Sequence, residues 1–176
     1  ELASTIAKVD LLFDLVNEFP ELQGVLGGYF AESQGFEKEV CLAVSEHYLP
    51  SGLNSRTPKN NYSIALSLSD KLDALVGFFG LDLVPTSSKD PYALRRMAIG
   101  LIKLIIENKK SFKLKEMIDY SCQLYNNQSI NFDRKSVHTN LSIFIIDRLK
   151  NYMKEKGIRL DLSLIHISEP TRRTDI

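Results

Sequence analysis

The chain has 176 residues, 44% of them hydrophobic and 25% charged, with 22 Lys and Arg balanced by 22 Asp and Glu. That composition supports a real apolar core for one domain or a domain and a half, and it excludes wholesale disorder. No run approaches the roughly 20 apolar residues of a bilayer span, Glu1 opens no signal peptide, and Cys41 and Cys122 have no CxxC or His partner spacing. A soluble, cytoplasmic chain without a disulfide framework or zinc site is expected.

The elements read as helices almost throughout. Leu2, Ile6, Val9, Phe13 and Val16 recur at three- and four-residue steps and predict a first amphipathic helix ending near Glu18-Phe19-Pro20. Leu22, Val25, Leu26, Tyr29 and Phe30 mark a second, carrying Gly24, Gly27 and Gly28. Each glycine in a helix costs roughly 1 kcal/mol relative to alanine, so this cluster points to close backbone packing or approach to a ligand. Phe36 to Tyr48 predicts a third helix, stopped by Pro50. Residues 50–61 form a loop, Ile64 to Phe79 a fourth helix, and Gly80 to Lys89 a second loop. Asp90-Pro91 then reads as a helix start, with Asp90 as N-cap and Pro91 in the first turn. That helix runs to about Asn108. Leu114–Asn126 and Asp133–Lys156 follow, with Gly157 placed to end the last. No strand pattern or internal repeat is found, and the fold class is all-α.

The zero net charge conceals two halves. Residues 1–88 carry 12 acids and 5 bases, a balance of −7, and residues 89–161 carry 15 bases and 8 acids, a balance of +7. Such a chain can turn a positive face to an anionic partner, nucleic acid being the usual one, or its halves can simply attract each other. The expected organisation is an acidic helical region over 1–88 and a basic helical region over 89–161. Residues 162–176 break register. Leu-Ser-Leu-Ile-His-Ile-Ser-Glu-Pro-Thr-Arg (162–172) resembles a translated transposase-type sequencing adapter, so this tail, His166 included, is expected to carry no function. With no initiator Met, the chain is expected to be an internal fragment.

Two constellations could carry chemistry. His47, in Glu46-His47-Tyr48, with Asp70 and Asp73 on a neighbouring helix, is the residue chemistry of a metal-dependent phosphohydrolase of the HD type. The His-Asp dipeptide of that type is missing and His138 lies far away in sequence. Asp70 and Asp73 share a helix face and could equally pair with Lys71 and nearby bases. The expectation is no metal. The second constellation is Pro85-Thr-Ser-Ser-Lys-Asp-Pro-Tyr-Ala-Leu-Arg-Arg96, which supplies hydroxyls, Lys89, a helix N-terminus, Arg95 and Arg96. Arginine grips phosphate through a planar fork, making this the best nucleic-acid candidate in the chain, while one arginine could instead pair with the acidic half. Lys109, Lys110 and Lys113 add a second basic run around Phe112. No Walker loop, GxGxxG or serine nucleophile elbow is present, and Cys41 has no His partner.

These same blocks resemble the β subunit of bacterial heterotetrameric glycyl-tRNA synthetase. The resemblance is carried by Lys8-Val-Asp-Leu-Leu12, Glu18-Phe-Pro-Glu-Leu-Gln-Gly-Val-Leu-Gly27, Glu46-His-Tyr-Leu-Pro50, Ser69-Asp-Lys-Leu-Asp-Ala-Leu-Val-Gly77 and Lys89-Asp-Pro-Tyr-Ala-Leu-Arg-Arg96, in order and over residues 1 to about 161. Gly27-Gly28 and the glycine-free Thr86-Ser87-Ser88 depart from the family's usual pattern. The resemblance implies a middle portion of that subunit, part of it a degenerate HD-type helical domain with further helices leading towards an anticodon-binding domain. It implies that the partner α subunit makes glycyl-adenylate, with ATP and magnesium there and no cofactor bound by this fragment. The implied partners are the α subunit and tRNA(Gly), with no membrane and no DNA. The implied role is tRNA engagement and subunit assembly in support of ATP-dependent glycine attachment, and the fragment alone is expected to be inactive. The competing readings are an HD-type phosphohydrolase centred on His47, Asp70 and Asp73, and a purely structural assembly module.

Overall fold

A computed structural model describes residues 1–111 and 113–157. The expectations for Phe112 and for the 162–176 tail fall outside these residues. Eight α-helices make up the described fold: α1 (Leu2–Ile6), α2 (Asp14–Glu18), α3 (Val25–Ser33), α4 (Lys38–Glu46), α5 (Asn61–Gly80), α6 (Leu94–Glu107), α7 (Leu114–Asn127) and α8 (Arg134–Glu155). No strand occurs among the described residues, so the class is all-α as the periodicity predicts.

The long amphipathic helices arise where the apolar stripe is longest. Leu72, Leu75, Val76 and Phe79 of α5, Leu101, Ile102 and Ile105 of α6, Ile118 of α7, and Leu141, Ile145 and Leu149 of α8 close into one continuous core. Helix α5 is central: it packs on α4 at one side and on α6, α7 and α8 at the other. Asn60 caps α5 through its side chain, which accepts from the Tyr62 N–H at 2.8 Å, and Asp133 caps α8 by accepting from Lys135 and Ser136. Gly157, at φ +65°, follows the end of α8 in the left-handed conformation that closes a helix.

Two boundaries differ from the sequence reading. The single helix expected over residues 2–18 is broken into α1, a 3-10 turn over Val9–Leu12, and α2. The break centres on Asp10, which is fully buried and accepts the Gly24 N–H on Oδ2 at 2.5 Å. A carboxylate drawn inward to satisfy a backbone donor 14 residues away displaces the chain from a straight helical path. The second difference is at Asp90-Pro91. The helix begins at Leu94, not at Pro91, and Ala93 before it has φ +56°. Asp90 still caps α6, but from an intervening turn: Oδ1 accepts from Leu94 N–H at 2.8 Å and Oδ2 from Arg95 N–H at 3.0 Å. The Tyr92 ring stacks on Phe78 of α5, centroids 4.4 Å apart, which takes the turn off the helix axis.

Candidate nucleic-acid interface and the His47 pocket

The loop before α6 is built on itself. Thr86 N–H donates to the Lys89 carbonyl at 3.0 Å, and Lys89 N–H donates back to Thr86 Oγ1 at 3.2 Å. The turn leaves the Lys89 side chain in solvent. Arg95 is committed within the fold: its Nη2 donates to the Thr86 carbonyl and its Nη1 lies 3.8 Å from Asp90 Oδ2. Arg96 is exposed and makes no ion pair among the described residues. It stands at the edge of a cleft of about 560 Å³, with Gln23, Tyr48, Ser51, Arg56 and Met97 also on its walls.

Lys109, Lys110 and Lys113 lie beyond the other end of α6. Lys109 has φ +51°, Lys110 Nζ donates to Asn61 Oδ1 at 3.0 Å, and Lys113 pairs with Glu116 at 3.0 Å in full solvent. Helix α6, 14 residues long, carries Arg96 in its first turn and places this run at its far end, ~20 Å away along the axis at the usual rise per residue. The two basic sets are therefore two patches and not one.

Deep charge lies elsewhere, on two lysines that the pattern alone does not single out. Lys71 is buried, and its Nζ donates to the carbonyls of His47 (3.3 Å), Tyr48 (3.2 Å) and Leu49 (3.1 Å) and to Ser67 Oγ (2.9 Å). Burial pushes its ammonium down to about 8. Lys103 of α6 is likewise buried and donates to the carbonyls of Leu53 and Ser55, both at 2.6 Å. The two ammonium groups satisfy backbone oxygens of the 47–55 segment, which has no regular ladder to do so. The only sequence signal was a charge inside the apolar run Ile102-Lys103-Leu104. Beside Lys103, Glu107 receives Thr57 Oγ1 at 2.9 Å and the Tyr152 hydroxyl at 3.2 Å. Its burial is outweighed by those donors and by Lys103, so its carboxyl is held low.

His47 is fully buried at the C-terminal end of α4, with Nδ1 2.7 Å from the Val44 carbonyl. Burial lowers its pKa, the carbonyl bond and the nearby Asp70 and Asp10 opposing and Lys8 reinforcing. Asp70 does not pair with Lys71 but with Lys8, at 2.7 Å. Asp73 faces solvent near α7, where its carbonyl accepts from the Tyr125 hydroxyl at 3.1 Å. No group of three or more His, Cys, Asp and Glu side chains is gathered closely enough to hold a metal ion among the described residues. With an ammonium seated on Asp70 and Asp73 turned elsewhere, the residues present do not fit a divalent metal.

The fold and these sites define an all-α protein with a capped, basic helix start beside a cleft and, among the described residues, no assembled metal centre. A family model described as "Glycyl-tRNA synthetase beta subunit" matches residues 1–165. The chain belongs to that family. It is 39% identical over 160 residues to the glycine–tRNA ligase beta subunit of Clostridioides difficile, covering 91% of this chain and 23% of that protein. It is 41% identical over 166 residues to the corresponding subunit of Rickettsia canadensis, covering 94% and 23%. With that of Lawsonia intracellularis it shares 41% over 155 residues, covering 88% and 22%. The chain thus spans under a quarter of the length of these relatives. No helix among the described residues is long and apolar enough to cross a membrane.

Proposed function

We propose that this chain is a tRNA-engaging and assembly portion of a glycyl-tRNA synthetase β subunit. It works in the cytoplasm with an α subunit that performs the ATP- and magnesium-dependent activation of glycine. In this reading the residues contribute contact and positioning, not bond-making, and the 1–88 region is a degenerate HD-type domain without a metal. The observation that carries the proposal is the start of α6, where Asp90 caps the helix, exposed Lys89 stands on the preceding loop, and exposed Arg96 lies at the edge of a cleft that also bears Arg56, Glu21 and Asp70. Arg96, free of any acidic partner among the described residues, can grip a phosphate with two parallel N–H donors, and Lys89 adds a mobile positive charge. Arg95 serves differently: it ties the Thr86 carbonyl to the helix and so shapes the loop that presents them. Lys109, Lys110 and Lys113 form a second contact patch for the same backbone.

The test is tRNA(Gly) binding by the assembled synthetase at two salt concentrations. Lys89→Glu with Arg96→Glu is expected to weaken binding and to flatten the salt dependence by about one unit of slope per lost phosphate contact. An unchanged affinity and slope in a folded double variant would remove the α6 start from the interface and favour the purely assembling role.

A further inference from the structure

The cleft that Arg96 borders draws its walls from the turn before α3, the segment after α4, α5 and the start of α6. Its volume, about 560 Å³, falls among those of small-molecule sites, roughly 300–1,000 Å³. Most of the charge on its walls is already answered inside the fold. Arg56 Nη1 lies 2.7 Å from Glu46 Oε1, Asp70 holds Lys8 at 2.7 Å, and the buried Lys71 ammonium is spent on the carbonyls of residues 47–49. Two charges remain, one of each sign. Arg96 and Glu21 are exposed, and neither makes an ion pair among the described residues. Glu21 sits in a 3-10 turn over Pro20–Leu22, and Gly24 just beyond it is pinned by its N–H to buried Asp10. Val25, Leu49 and Met97 add apolar wall to the same cleft.

One uncommitted guanidinium balances the single charge of a phosphodiester, but not the close to two charges of a terminal phosphate. One uncommitted carboxylate accepts from N–H donors and repels an edge built of acceptors. The apolar walls suit the face of a base. We propose that the cleft receives one unpaired nucleotide of an RNA strand, its phosphodiester on Arg96 and the exocyclic amine of its base on Glu21. The inference rests on reading the start of α6 as an RNA contact, and it adds that the base itself is read there. Cytosine offers the carboxylate an amine, whereas uracil puts a carbonyl oxygen in the same place and is disfavoured. The amine is free for this contact only in a single strand, loop or end, because base pairing in a duplex occupies it.

Fluorescence anisotropy on the full chain at low salt tests this with three RNAs: oligocytidine and oligouridine of equal length, which carry equal phosphate charge, and tRNA(Gly). The wild-type chain is expected to bind oligocytidine about fivefold more tightly than oligouridine. Glu21→Ala should erase that preference, and Arg96→Glu should weaken binding of all three RNAs. Equal affinity for the two oligomers, no binding of either, or a preference that survives Glu21→Ala would overturn the inference. If Arg96→Glu still weakens tRNA(Gly) binding in that case, the RNA contact at α6 stands without base reading. Arg96→Glu without effect on any of the three RNAs overturns both. Glu21 is exposed, so Glu21→Ala should keep the wild-type melting temperature. If it does not, Glu21→Gln replaces it, since a carboxamide pairs with either base and should erase the preference equally.

Discussion

Lys71 and Lys103 carry full charges into a helical core, and each is answered by backbone carbonyls of the segment between α4 and α5. Replacing Lys71 with Met keeps most of the volume but strands the His47 and Tyr48 carbonyls, while Leu49 still receives the Ser67 hydroxyl. An unsatisfied buried polar group costs about 1–3 kcal/mol, so Lys71→Met is expected to destabilise by ~3 kcal/mol in urea denaturation. His47 offers a pH-dependent test. Its folded pKa is lowered by burial beneath the 6.5 of an ordinary histidine. Below pH 6.5 the unfolded chain takes up a proton that the folded chain refuses, so stability is complete above that pH and declines beneath it. The slope approaches about 1.4 kcal/mol per pH unit while the folded imidazole stays neutral. His47→Gln should remove that acid-side component, read as the difference between wild-type and variant unfolding free energies from pH 7.5 to 5.5. Parallel curves would show that His47 takes its proton equally in both states.

At the scale of the elements, the glycine cluster near the start of α3 is a packing device. Gly24, at φ +82°, turns the chain so that its N–H reaches Asp10. A Cβ at Gly28 would stand 2.7 Å from Ser45 Cβ and 3.1 Å from the Cys41 carbonyl, so α3 and α4 approach where only glycine fits. Gly28→Ala is therefore expected to cost about 1–3 kcal/mol through overpacking, measurable as a lowered denaturation midpoint. The start of α6 rests on a single carboxylate: Asp90→Ala removes both acceptors for Leu94 and Arg95 and should cost about 1 kcal/mol, with fraying read by hydrogen exchange at those two amides. The long helices α5, α7 and α8 were legible to within a few residues because each carries a sustained apolar stripe and α5 and α8 begin at side-chain caps. The first 18 residues were not, since the stripe from Ile6 to Val16 is real but the pull of buried Asp10 on Gly24 is a contact between distant positions that no local period encodes.

Across the whole molecule, the division into an acidic and a basic half does not produce a general electrostatic clasp between them. Among the described residues no ion pair crosses between them: Lys8–Asp70 and Arg56–Glu46, each at 2.7 Å, lie within the acidic half, and Arg95–Asp90, Lys103–Glu107 and Lys113–Glu116 within the basic half. The basic half keeps Lys89 and Arg96 facing solvent, consistent in sign with an anionic partner. Its two candidate patches sit at opposite ends of α6, so an RNA backbone touching both would have to follow that helix. Loss of the second patch, by Lys109→Glu with Lys110→Glu, is accordingly expected to weaken tRNA(Gly) binding independently of Lys89 and Arg96, the two effects adding in free energy. A filter-binding series across single-patch and double-patch variants checks this; a second patch without effect would confine contact to the α6 start.

The sequence by itself determined the all-α class, the long helices and the membership of the glycyl-tRNA synthetase β-subunit family, because apolar period, capping residues and ordered motif blocks are written locally along the chain. Only the tertiary structure decided which charges are available. It buried Lys71 and Lys103 beneath carbonyls, seated Lys8 on Asp70, and tied Arg95 to its own loop while leaving Arg96 free. The physical reason is that a charged side chain's role depends on which distant acceptors surround it and how much water reaches it, and neither is a property of its neighbours in sequence.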